Sequence, residues 1–303
     1  MIYSNIEELL ELTYLEEKKI SEIVIEAEMK ESERTREAVM ENMLSRFNVM
    51  KNAIKSGLKG EAKSITGLTG GDAAKIYNNK HKLFNGLYKN IIAAAIATSE
   101  VNASMGKIVG GPTAGSSGII PGVVWGLGEM YNLKEKELLL GLFTAGGLGD
   151  IVSKKMNLSG AAGGCQAECG VASAMAAGAA VELLGGTPEM VCNGFALALK
   201  NLLGLTCDPV AGLVEVPCVK RNGFASSHAI TAAFMALSGV ESVIPPDQVI
   251  DVLNKTGKLI PISLKETSQA GLACTPAALE ISRKIDEEGN ILAPAYADLH
   301  EPA

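Results

Sequence analysis

Apolar and polar positions alternate with helical spacing through the first sixty residues. Val39, Met40, Met43, Leu44, Phe47, Met50 and Ile54 recur at three- and four-residue intervals, which predicts one face of a helix over 32–57. A shorter helix is expected over 6–15, while 20–29 is compatible with either helix or strand. After Gly60 the pattern changes: Gly67, Gly70, Gly71 and Asp72 make a turn-rich stretch, and from Leu87 the chain becomes alanine-rich, apolar and sparsely charged. Thr187-Pro188-Glu189 combines an N-cap, a first-position proline and a first-turn acid, with Gly204 as the stop. Thr275-Pro276 repeats that start, and Gly289 is its expected stop. Further helices are expected over 121–132, 169–184, 224–238 and 246–257. Alternating strands bounded by hairpin turns are hard to find, so the expected fold class is all-α. The expected organisation is one helical domain over 61–285, with helices of 1–60 packed on it and a loosely held tail, 286–303.

The longest run without a charge lies between Lys107 and Glu129, in a chain whose mean hydropathy is +0.20. Gly110, Gly111, Pro112, Gly115, Gly118 and Pro121 interrupt it, so it reads as a buried loop feeding a short helix rather than a membrane span. Apolar residues make up 47 % of the chain but aromatics only 4 %, alongside 33 glycines, which predicts tightly packed helices. A net charge of −7 disfavours a nucleic-acid partner, because phosphate binding needs a basic surface. The acidic N-terminus has no basic segment leading into an apolar one, and the expected location is the cytoplasm. In that reducing setting the six cysteines read as metal ligands, catalytic groups or buried apolar residues rather than disulfides.

Two segments concentrate candidate chemistry. The first is the loop 110–118, GGPTAGSSG, where small residues allow backbone N–H groups to approach a ligand ahead of a helix. A tight helix crossing explains the same glycines. The second holds the cysteines. Cys165, Cys207 and Cys218 fall at loops or helix starts, whereas Cys192 sits with Val191, Phe195 and Leu199 on an apolar helix and reads as structural. Cys274 has no polar company nearby. Cys169, four residues after Cys165, shares a helical face with it and is a further candidate. No paired-cysteine zinc pattern occurs, and spacing alone leaves both a metal cluster and simple packing open.

The segments SEVNASMG (99–106), GPTAGSSGIIP (111–121), GCQAECG (164–170) and CDPVAGLVEVPCVKRN (207–222) resemble the α subunits of iron–sulfur-dependent bacterial L-serine dehydratases. The resemblance runs from the N-terminal helices to about Lys284. It implies a mostly helical domain holding a 4Fe–4S cluster on Cys165, Cys207 and Cys218, with Cys169 a neighbour outside the ligand set. It further implies elimination of water from L-serine at an iron without a protein thiolate, giving pyruvate and ammonia, with no pyridoxal phosphate. The histidine-bearing β subunit of such enzymes is a partner this chain would need for activity, and it is the expected source of the base. His81, His228 and His300 lie outside the matching motifs. Thr113, Ser116, Ser117, Lys220 and Arg221 are the candidate substrate-binding residues, and Glu100 and Asn102 are candidates to orient polar groups beside the loop. Single-chain relatives end in a cysteine that reaches the cluster; this sequence ends without one, so tail inhibition by a thiolate is not expected. Two other readings stay open: a related cluster-dependent L-cysteine desulfidase, and a non-catalytic metal- or cluster-binding module.

Overall fold

In the computed structural model, residues 2–82 and 86–287 are described, and among them thirteen α-helices and no named strand make an all-α architecture. The helix α1 (Ile6–Leu15) starts where the Asn5 side chain accepts from the Glu8 N–H at 2.8 Å. The ambiguous segment is helix α2 (Ile20–Ser32): Ile20, Ile23 and Val24 are buried at helical spacing, which a strand could not bring to one face. It closes at Glu33 with left-handed backbone (φ 53°), so α3 (Arg36–Leu58) begins after Ser32, capped by Thr35. The turn-rich stretch carries a short helix, α4 (Asp72–Tyr77), followed by α5 (Leu87–Ala103) and α6 (Ile119–Tyr131).

Helix α7 (Glu135–Lys155) has no counterpart among the expected elements. Its glycines resemble breaks, yet they lie at contacts: a side chain at Gly147 would meet Val24 and one at Gly149 would meet Met175. The single turn α8 (Gly160–Gly163) leads through a π-helical turn, Gln166–Gly170, into α9 (Val171–Leu183). Helix α10 (Pro188–Lys200) starts at Thr187 as expected but ends before Gly204, which sits with φ +85° in the following turn. Helix α11 (Cys218–Leu237) begins six residues earlier than expected, directly after Pro217. Helices α12 (Pro246–Leu259) and α13 (Pro276–Glu287) complete the order. The expected stop at Gly289 and the tail beyond residue 287, with His300, lie outside the described residues.

Helix α9 forms the centre, with every residue from Val171 to Glu182 buried. It packs against α6, α7, α10 and α11, and its many alanines let those helices come close. Helix α5 plays a similar role among α3, α4, α6 and α11. Ile6, Leu9, Ile20, Ile23 and Phe47 of the first three helices belong to the same buried cluster as Phe195 of α10. Among the described residues, no helix is long and apolar enough to cross a membrane.

Candidate functional site

Cys165, Cys207 and Cys218 come from three segments that the fold draws together. Cys165 precedes the π turn, a wide turn of a kind often found at functional sites. Gln166 fixes that turn: its backbone N–H donates to Leu205 O (2.9 Å), its side chain donates to Leu253 O (3.1 Å), and its Oε1 accepts from the Gly204 N–H (2.9 Å). Cys207 lies in an extended segment that bridges in parallel to Lys265, its N–H donating to Leu264 O at 2.9 Å. Cys218 opens α11. All three thiols are buried and free, as are Cys169 and Cys192; Cys274 is exposed, its Sγ 3.5 Å from Ser268 O.

The tightest grouping is Cys165, Glu168 and Cys207, whose ligating atoms all lie within 4.8 Å of one another. Cys218 stands outside that trio, though the charges of Cys165 and Glu168 still act on it and burial pushes its thiol up. Cys169, buried in the same π turn, lies near enough to Cys165 for the two thiols to act on each other's ionisation, though outside that trio. Interactions with Cys169, then Cys207, and the neighbouring Arg221 hold Cys165 far below the usual thiol range, while Cys169 and Cys207 are pushed up. The Arg221 guanidinium faces Cys165 Sγ at 3.3 Å and favours negative charge on it. Burial opposes the Arg221 charge, but Cys165 and Asp208 outweigh it. Arg221 also donates to Thr206 O (2.9 Å) and to Asp208 (2.8 Å), whose other oxygen accepts the Leu272 N–H (2.8 Å).

Glu168, absent from the sequence candidates, is raised to about 7, chiefly by burial. The Thr113 hydroxyl donates to it at 2.6 Å, which brings the loop 110–118 onto the cysteine site. Asn222 holds that loop from the other side. Its Oδ1 accepts from the Gly118 N–H (2.9 Å), and its Nδ2 donates to Gly115 O (2.7 Å) and Cys218 O (2.9 Å). Ser116 is buried and bonds to Gly111 O (3.1 Å), whereas the buried Ser117 Oγ has no partner among the described residues. Lys220 points elsewhere, pairing with Asp72 at 2.7 Å. Glu100 accepts the Asp72 and Ala73 N–H groups (2.7 and 3.4 Å) at the start of α4, and Asn102 reaches Ala114 O at 3.4 Å. His228 Nε2 lies 2.9 Å from Ala198 O, an atom that only accepts, so that nitrogen carries its proton within the α10–α11 contact.

Glu168 had one legible signal: it is the lone charged residue between Lys155 and Glu182. Gln166, Asp208 and Asn222 stand inside the matching motifs, but their roles depend on partners 13 to 107 residues distant.

The donor set suits a soft metal group. Thiolates select zinc, copper(I) and iron–sulfur clusters, and the free thiols of Cys165 and Cys207 stand together with Glu168 here. The wall is kept clear at Gly160, where a Cβ would stand 2.7 Å from Cys207 Sγ and 2.6 Å from Glu168 Oε2.

Comparison with known proteins gives the lineage. The chain matches the family model "Serine dehydratase alpha chain" over residues 15–273. It is 48 % identical over 287 residues to the probable L-serine dehydratase, alpha chain, of Bacillus subtilis, covering 94 % of this chain and 95 % of that one. The L-serine dehydratase alpha chain of Peptoniphilus asaccharolyticus is 39 % identical over 275 residues, 90 % of this chain and 94 % of the relative. L-serine dehydratase 1 of Escherichia coli is 42 % identical over 181 residues, 59 % of this chain but 40 % of that longer protein. With the match extending from the end of α1 to the turn before α13, across every segment that builds the cysteine site, the chain belongs to the serine dehydratase alpha chain family.

Proposed function

We propose that this chain is the cluster-binding subunit of an L-serine dehydratase, a carbon–oxygen lyase that removes water from L-serine and yields pyruvate and ammonia. The observation that carries the reading is the grouping of buried Cys165, Cys207 and Glu168, with the Arg221 cation on Cys165, in a chain of this family. The thiolates of Cys165, Cys207 and Cys218 would hold a 4Fe–4S cluster, with Cys169 packed behind them. When bound, such a cluster supplies a Lewis acid that makes the substrate hydroxyl a better leaving group. Glycine-rich loop 110–118 borders the site, within a catalytic domain over 61–285 that carries the helices of 1–60 and the tail 286–303.

The chain's own residues bind and orient. Arg221, pinned by Asp208, offsets negative charge beside Cys165. Thr113, Ser116 and Ser117 offer hydroxyls to the substrate's polar groups; Ser117 is the one whose oxygen has no partner among the described residues. Lys220, held by Asp72, adds positive charge at the start of α11. Loss of the α-proton and the hydroxyl gives aminoacrylate, which tautomerises and hydrolyses. The proton acceptor is assigned to a β subunit, consistent with the name "alpha chain" borne by the relatives and with His228 being engaged by Ala198. The reading needs no pyridoxal phosphate, and it places the enzyme in the cytoplasm.

The test is anaerobic purification with a co-expressed β subunit, iron and sulfide analysis, and pyruvate release from L-serine and L-cysteine. Cluster content near four irons, serine turnover that requires both chains, and loss of iron in Cys207→Ser are expected. Preferred release from L-cysteine would make it a desulfidase. A bound metal that no amino acid perturbs, even with the partner present, would make it a non-catalytic module.

A further inference from the structure

The loop 110–118 is anchored at two places. Asn222 takes its second half, through Gly115 O and the Gly118 N–H. Among the described residues, a single side chain from outside the loop hydrogen-bonds its first half, 110–113. That side chain is Glu168, whose Oε1 accepts the Thr113 hydroxyl at 2.6 Å. The other hydrogen bonds of this half stay inside the loop. The Gly111 N–H donates to Thr113 O (3.1 Å), while Ser116 Oγ donates to Gly111 O (3.1 Å) and accepts the Thr113 N–H (3.4 Å). Bonds of that kind shape the loop but cannot fix its place against the thiols.

Glu168 is itself set into the cysteine site. It stands on the π turn three residues after Cys165, and its Oε2 lies 3.8 Å from Cys207 Sγ. Two glycines make room for the carboxylate: a Cβ on Gly115 would stand 3.2 Å from Oε1, and one on Gly160 would stand 2.6 Å from Oε2. The cations that open α11, Lys220 and Arg221, pair with Asp72 and Asp208 rather than with it. The Thr113 hydroxyl is therefore the group that satisfies Oε1 of this buried side chain. Loop, carboxylate and Cys207 follow one another in direct contact.

We infer that Glu168 is a positioning residue of the dehydration: through Thr113 it holds the first half of the loop 110–118 against the cysteine site, where the loop meets the substrate. The substrate in this inference rests on the dehydratase reading above; the clamp on the loop does not. Misplacing a substrate-orienting group by ~1 Å can cost on the order of a hundredfold in rate, so a single bond that sets the loop's position matters to the reaction.

The test uses the full-length chain, purified without oxygen together with its β subunit, as Glu168→Ala, Glu168→Gln, Thr113→Val and the double variant Glu168→Ala/Thr113→Val. Iron content near that of the wild type is expected in every variant. Hydrogen exchange read by mass spectrometry needs no substrate: Glu168→Ala should speed amide exchange over 110–114 about tenfold and leave α9 unchanged. L-serine binding, followed by the change in cluster absorbance, should weaken about tenfold in Glu168→Ala and in Thr113→Val, the worth of one charge-assisted hydrogen bond. The double variant should bind no more weakly than Thr113→Val, because the two residues act through one bond. Glu168→Gln, whose amide oxygen still accepts from Thr113, should stay within about threefold of the wild type. Loss of iron in Glu168→Gln would make Glu168 a metal ligand and overturn the inference, as would unchanged exchange in Glu168→Ala or additive losses in the double variant. A wild type whose absorbance ignores L-serine would defeat the dehydratase reading instead, with the exchange measurement still deciding the clamp.

Discussion

Cys165 and Cys192 are both buried, yet their surroundings push the two thiols in opposite directions. Cys192 has an apolar helix around it, and burial raises it to about 12. Cys165 has two thiols and a guanidinium beside it and is held low. Iodoacetamide applied to the metal-free native chain, read by peptide mass spectrometry, should therefore label the Cys165 group before Cys192. Cys192→Ser should keep the iron that Cys165→Ser and Cys218→Ser lose. Glu182 offers a pH-dependent test away from the site. Burial raises its carboxyl above the usual range, although the Ser21 N–H donates to its Oε2 at 3.3 Å. The native state then favours the protonated form, a contribution that is full below the unfolded value and lost as pH rises through the folded one. Glu182→Gln should flatten the fall in stability between pH 4.5 and neutrality, and at pH 7 it should be at least as stable as the wild type by urea denaturation.

At the scale of elements, the loop 110–118 is held by two devices the periodicity of the chain cannot express. Asn222 binds it through two backbone groups while also tying the first turn of α11. Asn222→Ala would strand buried backbone partners and should cost about 2–4 kcal/mol, measured as a lower denaturant midpoint. At Gly118 a Cβ would stand 2.1 Å from Ala95 O, so α5 and the start of α6 approach each other only because that carbon is missing. Gly118→Ala should therefore destabilise by about 3 kcal/mol by the same measure. The glycines along α7 mislead for a related reason. Glycine reads as a helix breaker, but here the packing of α2 and α9 against α7 outweighs its poor propensity. Cys218 was legible as a helix start or loop residue, while the six additional residues of α11 were not, because no N-cap side chain marks them.

For the whole molecule, the buried residues of α1–α3 join the same apolar cluster as α7, α9 and α10. Removing residues 1–58 should leave a chain without a cooperative thermal transition by circular dichroism, because Ile6, Leu9, Ile20, Ile23 and Phe47 would vanish from that core.

The sequence by itself determined the helical class, the starts of α1, α10, α12 and α13, and the family, because spacing, caps and motif strings are local and survive in one dimension. It also separated Cys192 from the loop cysteines, since an apolar helical face is visible in neighbouring residues. Tertiary structure alone decided that Glu168 and Cys169 stand with Cys165, that Arg221 faces its sulfur, and that Lys220 turns to Asp72. Those outcomes depend on distances between segments far apart in the chain, and on the desolvation that comes only when helices close around a charge.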